Sequence, residues 1–437
     1  LGTATAKATA GDDGKWAAKL PPQKAGVGHT LTIKGKNTVE LKNVAVGDVW
    51  VCSGQSNMEW SIDASGDALK YKAQPKNAMV RLFTVAKRTS PTPLADQKDL
   101  KHFSGWAECD PAKNIAGFSA VAYHFGQHLQ KNLDGNVPIG LIHTSWGGTP
   151  AQAWTSTEAL DAVPELKYYA DAARASVKAK QPVGPGTPAS LYNAMIHPLL
   201  PFAIKGAIWY QGESNAPKAV EYRTLFPAMI RDWRAKWGGK DFPFLAVQLA
   251  PFHDNNADGV NYAELRDAQL HATRVLPNVG MAVITDAGDL FDIHPKDKFT
   301  VGTRLALYAR GMTYGQKIVY SGPVYRDMKI EGDKAVLSFD HVGGGLAGRY
   351  ATLNGFEVCG ADRVFRPAKA EIKGNTVVVS AAGLAEPVAV RYGWKNYPVV
   401  NLYNRPLQGN GVALPATPFR TDDFPLTTAP QPAPAKK

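Results

Sequence analysis

Val49-Trp50-Val51-Cys52-Ser53-Gly54-Gln55-Ser56-Asn57-Met58 is an apolar run that stops at a glycine and turns polar. A short run without alternation, rich in β-branched and aromatic residues, predicts a strand buried on both faces, as in a parallel sheet. Gly54 lets the chain turn tightly after it. Ser56 then stands at the carboxyl end of the strand, where open α/β sheets place ligands and nucleophiles. The motif is not the G-x-S-x-G elbow, because position 58 is Met. An ordinary strand-to-helix turn with Ser56 near the helix start is the competing reading. Cys52 lies inside the run, where a buried, inert thiol is expected.

Outward from this stretch, further apolar runs appear at Val137 to Ile142, Ile204 to Tyr210, Phe244 to Leu249 and Met281 to Ile284. Helical spacing recurs at Val121 to Gln130, Val220 to Trp237 and Tyr262 to Val275. Strands alternating with helices predict a parallel sheet covered on both faces. Leu31, Ile33, Val39, Leu41 and Val44 are near alternation and predict β structure before it. After Tyr314 the helical pattern stops, and short strand-like segments at Met328 to Phe339, Glu371 to Ser380 and Val388 to Tyr392 predict an all-β unit. The expected organisation is a β-rich segment over residues 1–45 and an α/β domain over 46–314. A β-rich domain over 315–426 follows, then a disordered, Pro- and Ala-rich tail over 427–437. Whether the two flanks pack together as one sandwich is not legible.

Composition excludes several classes. The 49 Lys and Arg against 38 Asp and Glu give a modest, scattered excess of +11, so a basic surface is expected and a nucleic-acid partner is not. No apolar run reaches the roughly 18 residues of a membrane helix. Three cysteines without C-x-x-C allow at most one disulfide and organise no zinc cluster. The chain begins at Leu1 rather than Met, which is read as loss of a targeting segment and an exported, periplasmic or secreted protein.

Three more polar loops follow predicted strands. His143-Thr-Ser-Trp-Gly-Gly-Thr149 offers paired glycines whose N–H groups suit a developing oxyanion. Trp209-Tyr-Gln-Gly-Glu-Ser-Asn215 puts polar side chains straight after a buried strand. Asp286-Ala-Gly-Asp-Leu-Phe-Asp-Ile-His294 offers a general base with nearby acids. Each alone also reads as a common turn. In a doubly wound sheet, however, all four loops open on one edge, and together they supply the groups acyl transfer requires.

With these blocks in view, the chain resembles the SGNH hydrolase superfamily and, within it, the sialate O-acetylesterase-like carbohydrate esterases. Residues 47–59 are similar to that family's nucleophile block, 143–149 to its glycine block, 209–215 to its third and 292–295 to its fifth. Residues 415–422 are similar to its C-terminal end. The resemblance implies a three-layer α/β/α, flavodoxin-like domain and a serine esterase that removes acetyl groups from acetylated carbohydrates, without metal or cofactor. It implies Ser56 as nucleophile and His294 as base. Oxyanion donors would be the N–H groups of Ser56 and of Gly147 or Gly148, with the Asn215 side chain. Gln55, Trp146, Gln211 and Glu213 are expected to touch substrate. The superfamily's acid lies three residues before the histidine, where this chain has Phe291. Asp292 is the favoured orienting acid, and Asp289 or an acid-free dyad stays open. The acetylated glycan, whether sialic acid, xylan or xyloglucan, and the oligomeric state are not legible. A non-catalytic glycan-binding protein or a thioesterase on the same fold are the rival readings. His124 and His128, four apart on a predicted helix without H-E-x-x-H, are expected to face the sheet or solvent. Arg266 is expected to make a surface ion pair.

Overall fold

The computed structural model describes residues 1–96, 105–134, 136–200, 202–256, 258–407 and 411–429. An antiparallel hairpin, β1 (Gly26–Lys34) and β2 (Thr38–Val46), comes first. The central sheet has seven strands: β3 (Asp48–Gly54), β4 (Asn77–Thr84), β5 (Ala107–Cys109), β6 (Ile139–Ser145), β7 (Gly206–Tyr210), β8 (Phe244–Val247) and β9 (Val279–Ala282), in the order β5-β4-β6-β3-β7-β8-β9. All neighbours are parallel except the edge strand β5.

The apolar runs were legible because both faces are covered. In β3, Trp50 and Cys52 point into one core and Val51 into the other; in β7, Ile208 and Tyr210 oppose Ala207 and Trp209. Helices α3 (Ala120–Asn132) and α8 (Lys298–Tyr308) cover the first face. Helices α4 (Thr157–Asp161), α5 (Lys167–Ala179), α6 (Ala219–Lys236) and α7 (Asn261–Val275) build the second. Two short helices, α1 (Ser56–Glu59) and α2 (Ala68–Lys72), lie between β3 and β4. The result is three layers, α/β/α. The strand order departs from the flavodoxin pattern: numbering only the parallel strands along the chain, it reads 2-3-1-4-5-6 rather than 2-1-3-4-5. The chain leaves β3 for β4, returns through β6 and then crosses to β7, so the switch point lies beside β3, where Ser56 follows.

Among the described residues, the two flanks form separate sheets. The hairpin docks on the β4/β5 edge, where Arg81 donates to Asn43 Oδ1 (2.9 Å) and Asn43 donates to Glu108 Oε1 (3.1 Å). Beyond Thr313 the chain is β-rich. One antiparallel sheet holds Val324–Glu331, Lys334–Asp340, Thr376–Ser380 and Lys369–Lys373, and a second holds Arg366–Pro367, Phe356–Cys359, Ala389–Tyr392 and Phe419–Arg420. Leu337 and Val377 of the first share a core with Val358, Tyr392 and Phe419 of the second. The first residues of the expected tail are held in place. Thr427 and Thr428 each give a backbone N–H and a hydroxyl to the buried Glu264 carboxylate, at 2.6 to 2.9 Å. Residues 430–437 lie outside the described residues. All three cysteines are free and buried.

Candidate active site

Gly54 shows why the turn after β3 needs glycine. Its φ is +143°, and a Cβ there would fall 2.1 Å from the Tyr210 carbonyl oxygen of β7. Gln55 N–H then donates to that same oxygen (3.0 Å), and the chain passes directly into α1 with Ser56 as its first residue. The hydroxyl of Ser56 makes no hydrogen bond among the described residues and faces a cavity of about 620 Å³. Glu59, Trp60, Lys87, His143, Ser145, Trp146, Gly147 and His294 also line it.

His294 reaches this cavity from the loop after β9. Its ring stacks on Trp60, with centroids 4.4 Å apart and planes inclined by 13°. Nδ1 lies 3.6 Å from Asp292 Oδ1, which also accepts the backbone N–H of His294 at 2.8 Å. Nε2 is buried without a hydrogen-bond partner. Asp289 is turned elsewhere: its Oδ1 takes the N–H groups of Phe291 and Asp292 (2.8 and 3.0 Å) and shapes the loop. Burial pulls the His294 pKa below the usual 6.5; Lys298 adds to this and Asp292 opposes it. The other histidine at the cavity, His143, is buried and already paired. Burial takes its pKa down to about 4, and its Nε2 pairs with Ser145 Oγ at 2.6 Å.

The glycine loop lies against the serine, since a Cβ on Gly147 would come 3.2 Å from Ser56 Cβ. Yet the Gly147 N–H is already engaged, donating to Glu59 Oε2 at 2.6 Å, while Lys87 holds Glu59 Oε1 at 2.5 Å. The N–H groups of Ser56 and Gly148 make no hydrogen bond among the described residues. Of the two glycines, Gly148 is the one with a free donor. Asn215 is not free either: its Nδ2 donates to Gln152 Oε1 (3.1 Å), and its Oδ1 accepts from Ala151 N–H and Gln211 Nε2.

Of the four expected substrate contacts, only Trp146 lines the cavity. Gln55 is buried and accepts the N–H groups of Gly212 and Ser214. Gln211 is fully buried between Thr149 O, Asn215 and the Tyr222 hydroxyl. Glu213 is partly exposed as a residue, but its Oε2 is buried and unpartnered, and Asn57 donates to its Oε1 at 2.6 Å. These amides and the carboxylate join loops to one another. Trp154 and Trp209 are core. His124 is packed among Tyr71, Tyr123 and Phe299, as expected for a helix face turned inward. Arg266 differs from expectation: it is fully buried, and its guanidinium binds four carbonyls rather than a surface acid.

Sequence reasoning missed Glu59, Trp60 and Lys87. Trp60 carried a signal: it follows Ser56 by four residues, the spacing that puts two side chains on one face of a helical turn. Lys87 follows β4 in a segment with no motif. Its ammonium lies over the Trp146 ring, 5.4 Å from the centroid.

A parallel sheet with an unpartnered serine, an unpartnered imidazole nitrogen and free backbone donors at its switch point defines a hydrolase-type site. The comparisons then give the family. Residues 46–309 match the model for "Carbohydrate esterase, sialic acid-specific acetylesterase", and the chain belongs to this family of carbohydrate esterases. It is 33% identical to the sialate O-acetylesterase of Pongo abelii and 31% identical to that of Homo sapiens, covering 92% of this chain and 81% of each relative. A solved structure of a carbohydrate acetylesterase from Xanthomonas citri is similar at 41% identity and a TM-score of 0.82, covering 94% of this chain and 92% of that one. Among the described residues, no helix is long and apolar enough to cross a membrane.

Proposed function

We propose that this chain is an SGNH-type serine esterase that removes O-acetyl groups from carbohydrates through an acetyl-enzyme intermediate. The observation that carries the reading is the meeting of Ser56, the free Nε2 of His294 and the glycine loop on one cavity. Ser56 Oγ attacks the ester carbonyl while His294 Nε2 takes its proton. The N–H groups of Ser56 and Gly148 hold the oxyanion. His294 then gives the proton to the departing sugar oxygen, and water repeats the sequence on the acetyl-serine to release acetate. Asp292 favours the imidazolium and sets the ring's orientation from the Nδ1 side. Trp60 and Trp146 offer flat apolar walls of the kind sugar rings stack on. Neither Trp60 nor Trp146 distinguishes an acetylated sialic acid from an acetylated plant glycan. Export to the periplasm or medium belongs to the same reading, since such glycans are met there.

Acetate release from acetylated sialosides, xylan and xyloglucan oligomers tests this directly. At least one is expected to be deacetylated, and release from none while p-nitrophenyl acetate is cleaved would remove the carbohydrate assignment. The pH profile makes a second expected result. The base works as the neutral imidazole, and burial lowers its pKa. The acid limb of kcat/KM is therefore expected below pH 6.5. Asp292→Asn removes the carboxylate that opposes the shift, so it should move the limb lower still and reduce the plateau. A wild-type limb centred above 6.5 would contradict the assignment of His294 in this surrounding.

A further inference from the structure

Behind the cavity lies a buried charged group that the acyl-transfer scheme does not use. Lys298, the first residue of α8, is 1% exposed. Its ammonium donates to Asn57 Oδ1 and lies over the rings of Trp60 (5.8 Å) and Tyr210 (5.4 Å). Asn57 turns its other end to two acceptors: Nδ2 donates to Glu213 Oε1 at 2.6 Å and to Ile293 O at 2.9 Å. One amide thus bridges a buried cation and a buried carboxylate. It also ties the residue after the nucleophile to the residue before the base. Trp60, under the Lys298 ammonium, is the ring on which His294 stacks.

Resting on the proposed serine mechanism, we propose that Lys298, acting through Asn57 and Glu213, is a positioning residue that fixes the Ser56 turn against the His294 loop. Three observations make this more than packing. A buried ammonium and carboxylate separated by an amide are costly to keep unless the arrangement does something an apolar filling does not. The two backbone segments joined are those carrying the reacting groups. The cation also lies over Trp60, the ring stacked on His294, and its charge opposes protonation of the imidazole. Glu213 from the loop after β7, Asp292 and Asp297 are the acids facing Lys298, and each favours its charged form against burial. Burial brings its pKa down to about 7, so it is charged at the more acidic pH where His294 takes up its proton.

The test uses the full chain and p-nitrophenyl acetate. Lys298→Met alone leaves Glu213 buried without a cation, so its fold can suffer. The double variant K298M/E213Q removes both charges and is expected to keep a thermal midpoint close to wild type. Its kcat should nonetheless fall by about 10²-fold, as for a small displacement of reacting groups, with KM little changed. The acid limb of kcat/KM should move to higher pH, because the charge opposing protonation of His294 is gone. A purely structural role predicts that rate and acid limb return together with the fold in the double variant, and that result would overturn the inference. Ser56→Ala in the same assay separates the two levels. Its unimpaired activity would sink the serine mechanism, whereas a dead Ser56→Ala beside a fully active K298M/E213Q would sink only the role of Lys298.

Discussion

Ser56→Ala is expected to lower kcat for p-nitrophenyl acetate by about 10⁴-fold or more, with no change in the thermal midpoint. Removing a serine nucleophile leaves only the catalysis that oxyanion donors and binding supply, which accounts for the size of the loss. The unchanged stability follows from the structure. The hydroxyl has no hydrogen-bond partner among the described residues, and α1 begins from Gln55 without a side-chain cap, so the methyl group of alanine disturbs nothing. Two neighbours offer no substitute. Cys52 is fully buried within β3, and burial lifts its thiol well above the ordinary cysteine range. Ser145 is paired with His143, which burial makes a weaker base, with its pKa lowered to about 4. A stoichiometric burst of p-nitrophenol in the wild type, absent from the variant, checks the covalent step itself. Hydrolysis by Ser56→Ala at the wild-type rate would remove the serine mechanism.

What the sequence disclosed about this site followed from burial, and what it concealed depended on partners distant in the chain. The runs that became β3, β6 and β7 were legible because a strand covered on both faces leaves no polar residues in its middle. Strand β4 was missed for the complementary reason. Arg81 interrupts it, and that arginine is tolerated only because Asn43 and Glu108 meet it on the outer edge. The strand order, with β6 between β3 and β4, is a matter of pairing across tens of residues and leaves no local mark. The polar loops were found, but their residues could not be sorted. Asn215, Gln55 and Gln211 are the residue types a ligand site uses. They are equally the types that satisfy buried backbone groups where loops cross, and here they do the latter. Gly147 is a similar case. Its place beside Ser56 was foreseeable, while the carboxylate of Glu59 on its N–H depends on a side chain 88 residues earlier.

Arg266 carries the second large expectation. The guanidinium donates to Leu249 O (2.8 Å) and Ala250 O (3.0 Å) after β8, and to Lys395 O (2.7 Å) and Asn396 O (2.8 Å) in the C-terminal β unit. Among the described residues, no carboxylate pairs with it. Burial lowers its pKa to about 9, still high enough to keep the charge at neutral pH, and the fork of donors fits four fixed carbonyls. Arg266→Met fills much of the volume but leaves these acceptors facing an apolar chain. The expected destabilisation is about 3–5 kcal/mol, the scale for leaving several buried carbonyls without donors at about 1–3 kcal/mol each. Arg266→Lys should recover only part of this, because one ammonium cannot span two pairs of carbonyls. The effect should also reach the active site. The segment after Ala250 supports the histidine loop: His253 N–H donates to Leu290 O (3.1 Å), and Gly288 sits so close to Pro251 that a Cβ would come within 2.6 Å of it. Loosening Leu249 and Ala250 therefore loosens the base. Denaturant unfolding and kcat/KM measured on the same preparations check both halves, and kcat/KM is expected to fall at temperatures where the chain is still folded. A variant as stable and as active as wild type would show that the C-terminal unit is held, and the histidine loop supported, by other contacts.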